Sequence, residues 1–131
     1  MIKKAVFAAL ASAVLFAAPA LTTAANAAGD AAAGEKVFNQ CKACHDVEKG
    51  VNKVGPTLKG VIGRKAASVA DYKYSAAMTK KGEEGVVWDE ATLTAYLPNP
   101  KAYVPGTKMG FGGLKKPDDV ANVIAYLAAH P

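Results

Sequence analysis

Cys41-Lys42-Ala43-Cys44-His45 decides how the rest of the chain is read. Two thiols about one helical turn apart and an imidazole directly after them form the C-x-x-C-H pattern of c-type haem attachment. The thiols add to the two vinyl groups of a haem, and the histidine is brought under the iron. Two other chemistries use closely spaced cysteines. A closed zinc site takes four ligands, and the only further candidate of the usual kind is His130, at the far end of the chain. A thioredoxin-like redox pair sits in a βαβ pattern, and no such alternation surrounds this motif.

Toward the start, Met1-Ile2-Lys3-Lys4 is a basic opening, followed by an apolar run from Ala5 to Ala18 broken only by Ser12. The run is too short for a membrane anchor, which needs roughly 20 apolar residues. Pro19 ends it, and Ala25-Asn26-Ala27 offers the small-x-small pattern of signal-peptide cleavage. Residues 1–27 therefore read as a cleaved signal peptide and 28–131 as a single domain exported to the periplasm. In an oxidising compartment the two cysteines have the option of a disulfide, but their spacing would give a strained, reducible bridge, and thioethers are expected instead.

The chain is 131 residues long, with 16 basic and 11 acidic side chains. Loss of Lys3 and Lys4 with the leader leaves 14 basic against 11 acidic, a mild excess. That balance suits the acidic surface of a protein partner better than nucleic acid, which calls for a denser basic stripe interleaved with aromatics. A domain of this size has a small core, which a large flat cofactor would complete.

Asp30 is placed to cap a helix from Ala31, on which Gly34, Val37, Phe38 and Cys41 share one face and carry Cys41 to a buried side. Gly34 inside that helix suggests that another helix passes close to it. From Gly50 to Tyr74 no period is sustained; glycines and prolines punctuate Val54, Leu58, Val61 and Ile62, as in an ordered loop wrapped on something apolar. A short helix is expected over Ser75 to Lys81, closed by Gly82. Another is expected after Asp89, with Leu93, Tyr96 and Leu97 on one face and Pro98 as its stop, and Asn99-Pro100 restarts a turn. Residues 105–113 (PGTKMGFGG) exclude regular structure, and glycines at three of the last four positions would allow close backbone approach. Pro117 opens a last helix with Asp118 and Asp119 at its positive end and a buried stripe of Val120, Val123, Ile124, Leu127 and Ala128. No strand pattern and no repeat is present.

An iron with His45 on one side has either an open sixth position or a second protein ligand. The candidates are Met78, Met109 and His130. Met78 falls in a short helix, where methionine commonly fills core space, and His130 lies at the fraying end of the chain. Met109, in a loop bracketed by Pro105 and the glycines, is the preferred ligand, although a core methionine in a glycine-rich loop has the same appearance.

The order of Cys41 to His45, Gly55-Pro56, Gly63-Arg64-Lys65, Trp88, Tyr96-Leu97 with Asn99-Pro100, Pro105 to Met109, and Ile124-Ala125-Tyr126-Leu127 resembles the class I cytochromes c, of mitochondrial type and the short bacterial c-two type. The resemblance spans nearly all of 28–131. It implies an all-α fold, small helices and ordered loops wrapped around one covalently bound haem c, with the iron held by His45 and Met109. It further implies that the Pro56 carbonyl accepts a hydrogen bond from the His45 ring, and that Tyr74 and Trp88 reach a propionate with Arg64 nearby. Tyr96 and Thr107 would bond around Met109, and Gly34 and Phe38 would pack on Leu127 and Tyr126. Two positions depart from the pattern: Met78 stands where relatives often carry asparagine, and Gly110 where a bulkier apolar residue is common.

The expected function is a soluble, monomeric carrier of single electrons and not an enzyme, in respiration or photosynthesis. Its partners would present acidic surfaces: a cytochrome reductase complex, a terminal oxidase or a photosynthetic reaction centre. Lys36, Lys42, Lys53, Lys101, Lys108, Lys115 and Lys116 would ring the exposed haem edge by the same resemblance. The rival readings are a small haem peroxidase or gas-binding protein with an open iron position, and a permanent haem subunit of an oxidase or dehydrogenase complex.

Overall fold

The computed structural model describes residues 29–131; the expected signal peptide and its cleavage site lie outside the described residues. Five helices follow one another: α1 (Ala31–Phe38), α2 (Ala76–Glu83), α3 (Glu90–Tyr96), α4 (Pro100–Tyr103) and α5 (Pro117–Ala128). Among the described residues the only extended pairing is an isolated antiparallel bridge between Lys65 and Val87.

Four of the helices start on a side-chain cap. The Asp30 carboxylate accepts from the Ala32 N–H, Ser75 Oγ from Met78, Asp89 from Thr92 and the Asn99 side chain from Ala102. Each satisfies a backbone donor that the first helical turn leaves unpaired. α5 has no such cap; Pro117 sits at its first turn, with Asp118 and Asp119 against its positive end.

The terminal helices form the frame. Gly34 is buried where α1 meets α5, and a Cβ there would run into the Asn122 carbonyl and come within 2.8 Å of Tyr126 Cβ. The close approach expected at Gly34 is thus real, with Asn122 as the nearest neighbour instead of Leu127. The Asn122 side chain also accepts from the Asp30 N–H at 2.8 Å, and the Phe38 and Tyr126 rings stand 5.2 Å apart. Val37, Phe38, Leu93, Tyr96, Val104, Val123 and Leu127 belong to one buried cluster behind this frame.

The structure corrects several boundaries. α1 ends at Phe38, and Cys41 is reached through a succession of turns, with Cys41 N–H on the Phe38 carbonyl and His45 N–H on the Cys41 carbonyl. Cys41 is half-buried and Cys44 exposed. Gly82 does not close α2 but lies buried within it, under the Ala66 carbonyl; Gly85, at φ +83°, follows the helix end. On α5 the stripe holds at Val120, Val123, Ile124 and Leu127, but Ala128 is exposed and Tyr126 takes its place, buried against Phe38. Among the described residues, of the glycines after Met109 only Gly113 meets another segment closely, the Pro98 carbonyl; no described atom would touch a Cβ at Gly110 or Gly112.

The stretch from Gly50 to Tyr74 is held by individual bonds. Asn52 takes the Thr57 N–H, Gly60 donates to the His130 carbonyl and Gly63 to that of Trp88. Val61 is buried and Leu58 half-buried, but Val54 is 75% exposed. Val54 instead stands on the rim of a cavity.

Candidate functional site

A cavity of about 410 Å³ is bounded by the Cys41–His45 turns, the 50s loop, α2, α3 and the loop that carries Met109. Its walls are mainly apolar, with Phe38, Leu58, Leu93, Leu97, Phe111 and Leu127 among the lining residues. All ten residues singled out in the sequence line it: Cys41, Cys44, His45, Pro56, Arg64, Tyr74, Trp88, Tyr96, Thr107 and Met109.

His45 is fixed on two sides. Its Nδ1 lies 2.7 Å from the Pro56 carbonyl; a carbonyl only accepts, so Nδ1 carries the proton and Nε2 keeps its lone pair. Gly55, one residue earlier, presses on the ring, and a Cβ there would lie 2.6 Å from Nδ1 and 2.8 Å from Nε2. Burial holds the His45 pKa below the ordinary histidine value, and the Lys53 and Arg64 charges push the same way, against the Pro56 bond. The imidazole is therefore held neutral, the form that binds a metal.

No disulfide joins Cys41 and Cys44. Burial pushes the Cys41 thiol upward in pKa, and the neighbouring Cys44 adds to this. Among the described residues no group of three or more His, Cys, Asp or Glu side chains is arranged to hold a metal ion, so a zinc knuckle has no ligand set.

Both methionines line the cavity, but they are held differently. The Tyr96 hydroxyl donates to Met109 Sδ at 3.6 Å, and the Met109 N–H donates to Thr107 Oγ1 at 3.2 Å. Met78 sits half-buried in the first turn of α2 and packs on the core. Burial raises the Tyr96 phenol to about 12, so it stays a donor across neutral pH. His130 is turned away: its Nδ1 lies 2.8 Å from the Tyr126 carbonyl, its ring 4.5 Å from that of Tyr126, and it does not line the cavity.

The remaining polar groups bind the loop backbone. Arg64 donates to the Thr57 carbonyl at 2.8 Å and the Lys59 carbonyl at 3.3 Å, while the Tyr74 hydroxyl accepts from the Val69 N–H at 3.1 Å. The Trp88 ring is 4.8 Å from that of Tyr96. Tyr72 is a cavity residue that the sequence reading passed over. It lies in an unperiodic loop, and its place follows from contacts across 18 and more residues, which no local pattern announces.

The donor set suits a haem. One neutral imidazole nitrogen and one thioether are a known axial pair, two thiols stand beside them, and the cavity has the volume and apolar walls of a cofactor site. The missing side chain at Gly55 leaves the His45 ring room to stand upright.

The sequence model of the Cytochrome c family matches residues 31–131. Cytochrome c2 of Afifella marina is 55% identical over 97 residues, covering 73% of this chain and 78% of that protein. Cytochrome c2 iso-1 of Magnetospirillum fulvum is 60% identical over 92 residues, covering 69% of this chain and 90% of its own length. The solved structure of cytochrome cH from Methylobacterium extorquens superposes with a TM-score of 0.70 at 55% identity, over 77% of this chain and 99% of that one.

Proposed function

The chain belongs to the cytochrome c family, and on that premise we propose that it is an exported carrier of single electrons whose iron is held by His45 and Met109. It is an electron-transfer cytochrome with one haem c, attached through Cys41 and Cys44. The haem supplies the redox chemistry, an iron that alternates between ferrous and ferric states.

The chain's residues do the rest. The Pro56 carbonyl holds the His45 tautomer and raises the basicity of the ligand. The Tyr96 hydroxyl and Thr107 fix the Met109 side chain and its backbone. A thioether favours ferrous iron and an apolar wall keeps water out, and both raise the reduction potential. Trp88, Tyr74 and Arg64 are the donors proposed for the propionates. The exposed lysines Lys36, Lys42, Lys53, Lys101, Lys108, Lys115 and Lys116 are proposed to steer encounter with acidic partners. The proposed site of action is the periplasm, which rests on the leader-like first 27 residues; among the described residues no helix is long and apolar enough to cross a membrane.

The observation that carries this reading is the hydrogen bond from Tyr96 to the Met109 sulfur, inside the cavity that His45 lines. It separates Met109 from Met78, which lines the same cavity. The ferric protein is expected to show the weak sulfur-to-iron absorption of a thioether ligand. Met109→Ala should abolish it and lower the potential, whereas Met78→Ala should retain it. Loss in the Met78 variant with retention in the Met109 variant would overturn the ligand assignment.

A further inference from the structure

His130 takes neither of the roles its side chain suggests. It does not line the cavity, and among the described residues it joins no group arranged to hold a metal ion. Its ring is nonetheless fixed on two sides, half-buried just past the end of α5. Nδ1 lies 2.8 Å from the Tyr126 carbonyl, four residues back, and since a carbonyl only accepts, Nδ1 carries the proton. The ring centroid stands 4.5 Å from that of Tyr126, which is itself buried against Phe38. A helix leaves its last carbonyls without partners ahead of them, and a histidine beyond the last turn can satisfy one.

What the ring holds in place is a backbone carbonyl. Among the described residues, one backbone hydrogen bond joins the stretch 57–64 to the stretch 117–131: Gly60 N–H donates to the His130 carbonyl at 2.8 Å. The other end of the same peptide group is occupied as well. The Lys59 carbonyl accepts from Arg64 Nη1 at 3.3 Å, while Arg64 Nη2 donates to the Thr57 carbonyl at 2.8 Å. A peptide group is planar and rigid, so the Gly60 N–H and the Lys59 carbonyl cannot turn independently, and hydrogen bonds in such a chain polarise one another. Arg64 lines the cavity; His130, outside it, reaches the guanidinium through that one peptide plane.

We propose that His130 is a positioning residue for Arg64: its ring clasps the end of α5, its carbonyl anchors the Lys59–Gly60 peptide, and that peptide sets where the Arg64 charge stands at the cavity wall. The effect on the iron rests on the assignment of Arg64 as a propionate donor; the clasp itself does not. A cation held near the haem favours the ferrous state, which carries one positive charge fewer.

The test is amide hydrogen exchange at Gly60 together with the reduction potential of the haem-loaded protein. His130→Ala should speed exchange at Gly60 about tenfold, as when local opening is released, and lower the potential. His130→Phe keeps a ring on Tyr126 but no donor and should behave like His130→Ala. His130→Asn puts an amide N–H near the place of Nδ1 and should restore both readouts. Thr79→Ala, exposed on α2, should move neither. In an Arg64→Met background His130→Ala should still speed exchange at Gly60 but lower the potential no further. Exchange unmoved in His130→Ala, His130→Phe indistinguishable from the unmodified protein, or the same fall in potential with and without Arg64 would each overturn the proposal. If Arg64→Met alone leaves the potential unchanged, the propionate assignment fails while exchange at Gly60 still decides the clasp; if it lowers the potential and His130→Ala speeds exchange without lowering it, the positioning role alone fails.

Discussion

Gly55 carries weight through the side chain it lacks. Its backbone does not need a left-handed conformation; what it needs is space, because the His45 ring lies where a Cβ would go. The ring has little room to yield, since its Nδ1 is bonded to Pro56 on the adjoining residue. Gly55→Ala should therefore turn the imidazole off that bond or displace the loop, at a cost of about 1–3 kcal/mol, as for other overpacked sites. Gly112→Ala is the matched control, exposed and with no atom of the described residues within reach of its Cβ, and should be neutral or slightly stabilising. Thermal unfolding of both, with a haem-to-protein ratio measured after expression, checks this. Equal melting temperatures for the two would mean that the 50s loop gives way and that Gly55 has no special place beside the ligand.

Helix caps show where sequence legibility begins and ends. Asp89 accepts from the Thr92 N–H at 2.8 Å, and the Thr92 backbone and side-chain bonds hold its carboxyl below the usual aspartate range. A depressed carboxylate adds stability above its unfolded pKa, and that stability drains away as pH falls through the lower, folded value. Asp89→Asn keeps an acceptor and removes the charge. It should melt below the unmodified protein at pH 7, and the gap should close as pH drops from about 4, near the ordinary aspartate pKa, to below the folded value. A gap independent of pH would assign the effect to geometry instead of charge. The caps at Asp30, Asp89 and Asn99 were legible because acceptor and donor lie two or three residues apart, whereas Ser75, expected as the first residue of its helix, is its cap. Gly82 was misread because what buries it, the Ala66 carbonyl, is distant in sequence, and a glycine after lysines looks like a helix end until that contact is known. Ala128 was misread for a related reason, since Phe38 draws Tyr126 into the interface. In the site, the residues themselves led to Cys41, Cys44, His45 and a choice among three second ligands. The placement of Pro56, Arg64, Tyr74, Trp88, Tyr96 and Thr107 came from family resemblance, and that of Tyr72 from neither.

At the scale of the molecule, the cavity is large against the stability that has to hold it open. Its mainly apolar walls, around about 410 Å³, have no packing partner of their own unless the haem supplies one. A domain of this size is stable by only about 5–15 kcal/mol in all. The loops at residues 50–75 and 105–113 have the cavity on one side and contribute little regular hydrogen bonding of their own. The contact of α1 with α5, by contrast, is closed by Gly34 on Asn122 and Phe38 on Tyr126, with only the far side of Phe38 turned to the cavity. Cys41→Ala with Cys44→Ala, which cannot retain the haem covalently, should thus lose cooperative unfolding while keeping a residue of helical signal. Hydrogen exchange should locate what protection remains on α5, at Val123 and Ile124, with none at Gly63 or Leu58, whose amides bond to distant backbone in the unmodified protein. A sharp melt of the haem-free double variant close to that of the loaded protein would show that the loops stand by themselves, and that the haem is a guest in a finished fold instead of the larger part of its core.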